Sequence, residues 1–118
     1  MKKILVATLV LALAACNTQP VQHKGKDGYT FGKKQYDKDV VTIRFVTHKS
    51  LDELQETARV LKVDNYSEVG AFSELTPPFN SCIVHIIDPA VEYKPELIGH
   101  EVLHCKYGQW HTNNSSYK

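Results

Sequence analysis

The chain is poor in most of the things that mark a specialised class. It has one tryptophan, one methionine and three cysteines in 118 residues, and its 14 Lys and Arg nearly cancel its 13 Asp and Glu. A formal charge of +1 gives no basic field able to hold a phosphate backbone, so nucleic acid is not expected as a partner. No apolar run reaches the about 20 residues that a bilayer-spanning helix needs. No internal repeat or acidic tail is present. With 42% hydrophobic and 23% charged residues, the composition excludes disorder, collagen and coiled coil and fits one globular domain.

What is present begins with a leader pattern. Lys2 and Lys3 precede an apolar run from Ile4 to Ala15 that ends in small residues, as in a secretory signal peptide. The stretch Leu13-Ala14-Ala15-Cys16 resembles a bacterial lipobox, in which the cysteine thiol is lipidated and the chain is cut just before it. The expectation is a signal peptide over 1–15 and a lipid anchor, palmitate included, at Cys16. An ordinary secretory signal with a chance cysteine is the plain alternative. Asn17 stands where an aspartate commonly signals inner-membrane retention, which points to the outer membrane facing the periplasm if the host is Gram-negative.

Residues 16–38 carry Gly, Lys, Gln, Asp and Thr without a sustained apolar period and read as the lipidated cysteine plus a flexible tether. Tyr29, Phe31 and Tyr36 are the features that could dock its second half on the domain. Residues 39–118 then read as that domain. Val41, Ile43 and Phe45 alternate with Thr42 and Arg44 across Val40 to Thr47, the two-residue period of a strand. Ser50-Leu51-Asp52-Glu53 is a capping box opening a helix with Leu54, Ala58 and Leu61 on one face and an end near Lys62.

Val69 to Leu75 predicts a short strand, and Pro77-Pro78 breaks the chain after it. Cys82 to Ile87 predicts an apolar strand stopped by Asp88-Pro89. Pro95 and Glu96 suit the first turn of a last helix, which runs to about Tyr107 and stops at Gly108. The order strand, helix, strand, strand, helix predicts an α+β fold: a small mixed sheet with a backing helix and a C-terminal active-site helix.

Once Cys16 carries lipid, Cys82 and Cys105 remain as an even pair in an exported protein, and a small domain gains from a cross-link. Two buried thiols, or Cys105 as a metal ligand, are the competing readings. Helical geometry places Cys105 with Ile98 and Val102, on a face distinct from the neighbouring histidines.

Those histidines carry the chemistry. His100-Glu101-Val102-Leu103-His104 is an H-E-x-x-H pattern, and at about 100° per residue the two imidazoles reach one metal ion from the same helix face. Glu101 lies on the adjoining edge, placed to touch a metal-bound water. With six histidines in the chain, the pattern arises by chance about 0.02 times. A catalytic zinc takes a third protein ligand. No Asp or Glu follows Glu101, so His111 is the downstream candidate, against the plain reading of a solvent-exposed residue in a frayed tail. On a continued helix His111 would lie about 10 Å along the axis from His104. Gly108 permits the turn that brings it back.

On these residues the chain resembles the zincin metallopeptidases, and among them the metzincin-like branch, whose pattern is H-E-x-x-H-x-x-G-x-x-H. The run from His100 to His111 has one extra residue before its glycine, and the only methionine is Met1, so no methionine turn follows. The resemblance implies a minimal zincin-like domain with one Zn2+ per chain on His100, His104 and His111. It makes Glu101 the general base, taking a proton from water and passing it to the leaving amine. It also implies a substrate strand laid along a sheet edge, for which Ala71 to Leu75 is the candidate. Tyr107, Tyr117 and His85 are the candidate oxyanion donors by residue type. His85, between Val84 and Ile86, equally suits a structural place in a strand, and Trp110 and Tyr107 suit packing around the metal loop.

The expected protein is a lipid-anchored, monomeric zinc metallopeptidase of the cell envelope, acting on a peptide or protein. A second reading is a non-enzymatic envelope lipoprotein, an interaction module with a structural or vestigial zinc site. Glu101 divides the two, because a structural site has no use for a base beside its ligands. Metal storage would need a ligand-rich tail, and only His23 and His48 lie outside the elements named above.

Overall fold

A computed structural model describes residues 23–111; the expected signal peptide over 1–15, Cys16 and Tyr117 lie outside the described residues. The elements in chain order are β1 (Thr42–His48), α1 (Leu51–Val60), a short 3-10 turn (Tyr66–Glu68), β2 (Phe72–Leu75), β3 (Ser81–Ile87) and α2 (Pro95–Tyr107). They form an α+β fold on a three-stranded sheet of order β1-β3-β2. Strand β3 is central, parallel to β1 and antiparallel to β2. Among the described residues no helix is long and apolar enough to cross a membrane.

The apolar run in β3 follows from burial on both of its faces. Cys82, Val84 and Ile86 pack with Ala71 and Cys105 beneath α2, whereas Ile87 packs with Leu54, Ala58, Val69 and Phe72 beneath α1. The sheet therefore separates two small cores. Helix α1 starts where Ser50 Oγ accepts the Glu53 N–H at 3.1 Å. The returning carboxylate of Glu53 takes the N–H of Lys49, not that of Ser50, at 3.0 Å. The helix buries Leu54 and Ala58 fully, but it ends at Val60. Leu61 is its C-cap and stays exposed, so the expected third member of the apolar face falls outside it.

Strand β2 begins later than the apolar run suggests, because Val69 closes the 3-10 turn and is buried there without a sheet partner. Helix α2 spans the expected residues, with Pro95 in its first turn and Gly108 as its C-cap. Cys105 is buried against β3 and forms a disulfide with Cys82, Cα to Cα 5.6 Å. This bond fixes the helix over the central strand.

Composition alone reads residues 16–38 as a tether, yet 25–38 runs along the end of α2 in a regular set of contacts. The N–H groups of Gln35 and Tyr36 donate to Tyr107 O at 2.9 and 3.3 Å, and that of Lys38 donates to Lys106 O at 3.1 Å. Those carbonyls belong to the last turn, which has no helical donor for them. The segment thus caps α2 from outside. Gly32 and Lys33 donate to Trp110 O beyond the helix end, at 3.1 and 2.9 Å. Lys106 Nζ closes the contact on Asp37 and on the Lys38 carbonyl.

The disulfide spans a sequence separation of 23 residues, which in the loop-entropy picture is worth about 3 kcal/mol. Replacing Cys82 and Cys105 together by alanine should lower the free energy of urea unfolding by about 2–4 kcal/mol while the far-ultraviolet circular dichroism is kept. A loss below about 1 kcal/mol would assign the docking of α2 to packing alone.

Candidate metal centre

His100 and His104 lie one turn apart on the face of α2 covered by Tyr29 and Trp110, and both are buried. Their Nε2 atoms face each other at 3.1 Å. What lies on the far side of each ring decides what this means. His104 Nδ1 is 2.7 Å from the Gly108 carbonyl oxygen, which can only accept, so Nδ1 carries the hydrogen. His100 Nδ1 is 2.6 Å from Asp27 Oδ2, again an acceptor. In neutral imidazoles both Nε2 atoms then hold bare lone pairs pointed at one another. Only a proton or a metal cation between them satisfies both.

The third histidine turns this pair into a metal-ion donor set. Gly108 adopts φ 67° and ψ −131°, a conformation that side-chain-bearing residues avoid, and the chain reverses there. A Cβ at Gly108 would also stand 2.5 Å from Gln35 Oε1, so the turn and the segment 25–38 packed on it need the same glycine. Beyond it the His111 ring lies 5.0 Å from that of His104 and 5.3 Å from that of His100. The ligand atoms of the three rings all lie within 4.8 Å of one another, and no other such group exists among the described residues. Cys105, engaged in the disulfide, is not part of it.

Burial pushes the His104 pKa down to about 4, against the Gly108 hydrogen bond, and the neighbouring His100 and His111 push the same way. A neutral ring is the form that binds a metal. Glu101 is buried between α2 and β2, where it shares a hydrogen bond with Ser73. Burial raises its pKa to about 7, the Ser73 bond opposes this, and the Asp27 charge adds to it. A cation at the three histidines acts in the opposite direction. Ser73 belongs to β2, an outer strand of the sheet, so the edge expected from Ala71 to Leu75 adjoins the Glu101 carboxyl.

Two site residues escape a reading of the sequence. Ser73 has no local pattern. Asp27 sits in Gly25-Lys26-Asp27-Gly28, whose Asp-Gly pair signals a turn but says nothing of a partner 73 residues away. A cavity of about 310 Å³ opens beside His100, walled by Asp27, Tyr29, Phe31, Leu103 and Trp110. The buried Nε1 of Trp110 has no hydrogen-bond partner.

Of the expected oxyanion donors, Tyr117 lies outside the described residues. The Tyr107 ring is packed by Phe31 and by the Lys34 and Lys106 ammonium groups, as an anchor for residues 31–38. His85 is not brought to the three histidines. Strand parity puts it on the α1 face of β3, stacked on Phe72 at 4.2 Å. Its Nε2 donates to Glu74 Oε2 at 2.6 Å, and its Nδ1 accepts from His48 Nε2 at 3.0 Å. It links all three strands.

Comparison with protein-family models, with curated proteins and with solved structures gave no match. The fold and site by themselves define an α+β domain with a three-histidine donor set, two of whose rings are buried.

The second histidine cluster makes a pH prediction. Burial first, and then His85, push the His48 pKa down, with Glu53 opposing. A histidine depressed in the fold takes up its proton more readily when unfolded, so its contribution is lost as pH falls below about 6.5. In His48→Gln the amide can still donate to His85. Urea unfolding between about pH 7 and pH 5 should show a shallower loss of stability for this variant than for the wild type. Equal slopes would place the acid sensitivity elsewhere.

Proposed function

We propose that the protein is a small zinc-dependent metallopeptidase, carried as a lipoprotein on the exported side of a bacterial membrane. The observation that supports it most is the pair of Nε2 lone pairs held face to face by Asp27 and Gly108, with His111 turned in beside them. Three imidazole donors suit zinc far better than calcium or magnesium, which prefer oxygen donors. When bound there, zinc supplies Lewis acidity for a carbonyl oxygen and lowers the pKa of a water.

The chain's own groups do the rest. Glu101, beside Ser73 and shielded from solvent, accepts a proton at its carboxylate and returns it to the leaving amine nitrogen. Asp27 and the Gly108 carbonyl fix the tautomer and the plane of two ligand rings. The outer edge of β2, next to Glu101, receives an extended peptide. The anchor at Cys16 and the envelope location rest on the leader pattern.

One observation favours a second reading, a non-enzymatic lipoprotein with a structural site. His100, His104 and Tyr29 beside them are all nearly excluded from solvent, as in closed metal sites. Against it stand a donor set of three where structural zinc takes four, and a base that such a site does not use.

Elemental analysis should find one zinc per chain, lost in His104→Ala and in His111→Ala and kept in Glu101→Gln. Peptide-library cleavage by the wild type should fall about 10²–10⁴-fold in Glu101→Gln. Absence of zinc after reconstitution overturns the metal reading. Bound zinc with no cleavage of any peptide transfers the protein to the structural reading.

A further inference from the structure

We propose that residues 25–38 form a metal-coupled clasp in which Asp27 is a positioning residue, so that metal binding and docking of this segment stabilise each other. The inference rests on the reading of His100, His104 and His111 as metal ligands and adds a regulated element to it.

The loop from Gly25 to Tyr29 is built around the Asp27 carboxylate, and each oxygen has its own task. Oδ1 accepts the Tyr29 N–H at 3.0 Å, and Oδ2 accepts from His100 Nδ1 at 2.6 Å. The Gly25 N–H donates to Tyr29 O at 2.7 Å, and that of Gly28 donates to Gly25 O at 2.9 Å, closing the loop. Gly28 has φ +92°, and a Cβ at Gly25 would stand 2.5 Å from Asp27 Oδ1. Both glycines are what lets the carboxylate come in. The Asp27 side chain is only 11% exposed and its histidine partner 2%. A flexible tether would not bury a carboxylate unless that carboxylate were bonded.

The rest of the segment closes on the other two ligands. Phe31 forms a β-bridge with His111, and the Tyr29 ring lies 4.4 Å from the His111 ring and 4.8 Å from that of His100. The Tyr36 hydroxyl reaches the backbone oxygen of His104 at 3.5 Å. All three histidines are therefore touched by one stretch of chain that precedes the first strand.

Coupling follows from the chemistry of imidazole. A cation on Nε2 withdraws charge from the ring and makes Nδ1–H a stronger donor, which tightens the bond to Asp27. Conversely, Asp27 raises the basicity of the ring that binds the cation, an effect worth about 10–100-fold in metal affinity at comparable sites. Thermodynamic reciprocity requires the same factor to appear in the docking of the segment when metal binds. Metal loss then loosens 25–38, and its exposed Lys33 and Lys34 become open to proteolysis.

The test uses the full chain and Zn2+ alone. Affinity is measured by competition with a chromophoric chelator for the wild type, for Asp27→Asn, which keeps shape without charge, and for Gly25→Val, which keeps Asp27 and disturbs its loop. Circular dichroism confirms that each variant folds. Hydrogen exchange on residues 25–38 is followed with zinc and with excess chelator, with the β1 amides as an internal reference. Zinc should bind Asp27→Asn and Gly25→Val about 10–100-fold more weakly than the wild type. It should slow exchange in 25–38 of the wild type by more than in β1, and this difference should disappear in Asp27→Asn. No zinc binding by the wild type overturns the metal reading itself. Tight binding by the wild type and equally tight binding by Asp27→Asn overturns the clasp and leaves the metal reading standing. So does exchange in 25–38 that is indifferent to zinc.

Discussion

Two imidazole nitrogens, 3.1 Å apart with their protons committed elsewhere, set the constraint that organises this domain. A lone pair facing a lone pair in a buried place is costly unless a cation lies between them. Everything nearby serves to hold them there. The Gly108 carbonyl holds one ring and Asp27 the other, so each ligand is oriented by a group outside its own turn of helix. The same glycine that supplies the carbonyl reverses the chain and returns His111. One residue thus performs a backbone task and a hydrogen-bonding task in the same site.

The rigidity behind this comes from α2 being fixed on three sides. Its inner face is bonded to β3 through Cys82 and Cys105, and Glu101 lies buried beside Ser73 of β2. Its last turn is capped by the backbone of residues 35–38. A domain of this size has little apolar interior to hold a helix by packing alone. The two cores are small clusters on opposite faces of one three-stranded sheet. Covalent and polar ties replace the missing area.

How much of this was legible in the sequence depends on the range of each contact. The element order, the reach of α2, the H-E-x-x-H pair and the turn at Gly108 all follow from patterns within a few residues, and the structure has them. The pairing of Cys82 with Cys105 was open to a parity argument and is present. That same parity could have placed His85: if Cys82 faces α2, so do Val84 and Ile86, and His85 must face the other way. Its candidacy as an oxyanion donor came from residue type, and the structural place in the strand weighed beside it is the one it occupies. Asp27 and Ser73 lay beyond reach for another reason. Their partners are distant in the chain, and neither a carboxylate in a glycine-rich loop nor a serine in a short strand carries a local period. Composition described residues 16–38 as a tether, with Tyr29, Phe31 and Tyr36 as its docking points, because the backbone hydrogen bonds that seat 32–38 on the end of α2 leave no trace in composition.

The two faces of the sheet solve the burial of histidine in different ways, and the difference separates structure from chemistry. On the α1 face, Glu74, His85 and His48 form a chain in which each proton has one donor and one acceptor, so the rings are satisfied by the protein itself. On the α2 face, the outer nitrogens are satisfied in the same manner, but the inner ones converge and are left over. A core histidine needs only the first arrangement. The second costs stability unless a cation completes it, and a fold retains such an arrangement where a ligand repays that cost. Residues 25–38, the disulfide and the capping of α2 all bear on this second face and leave the first alone. That asymmetry, more than the sequence motif by itself, is what supports the proposed metal site on α2.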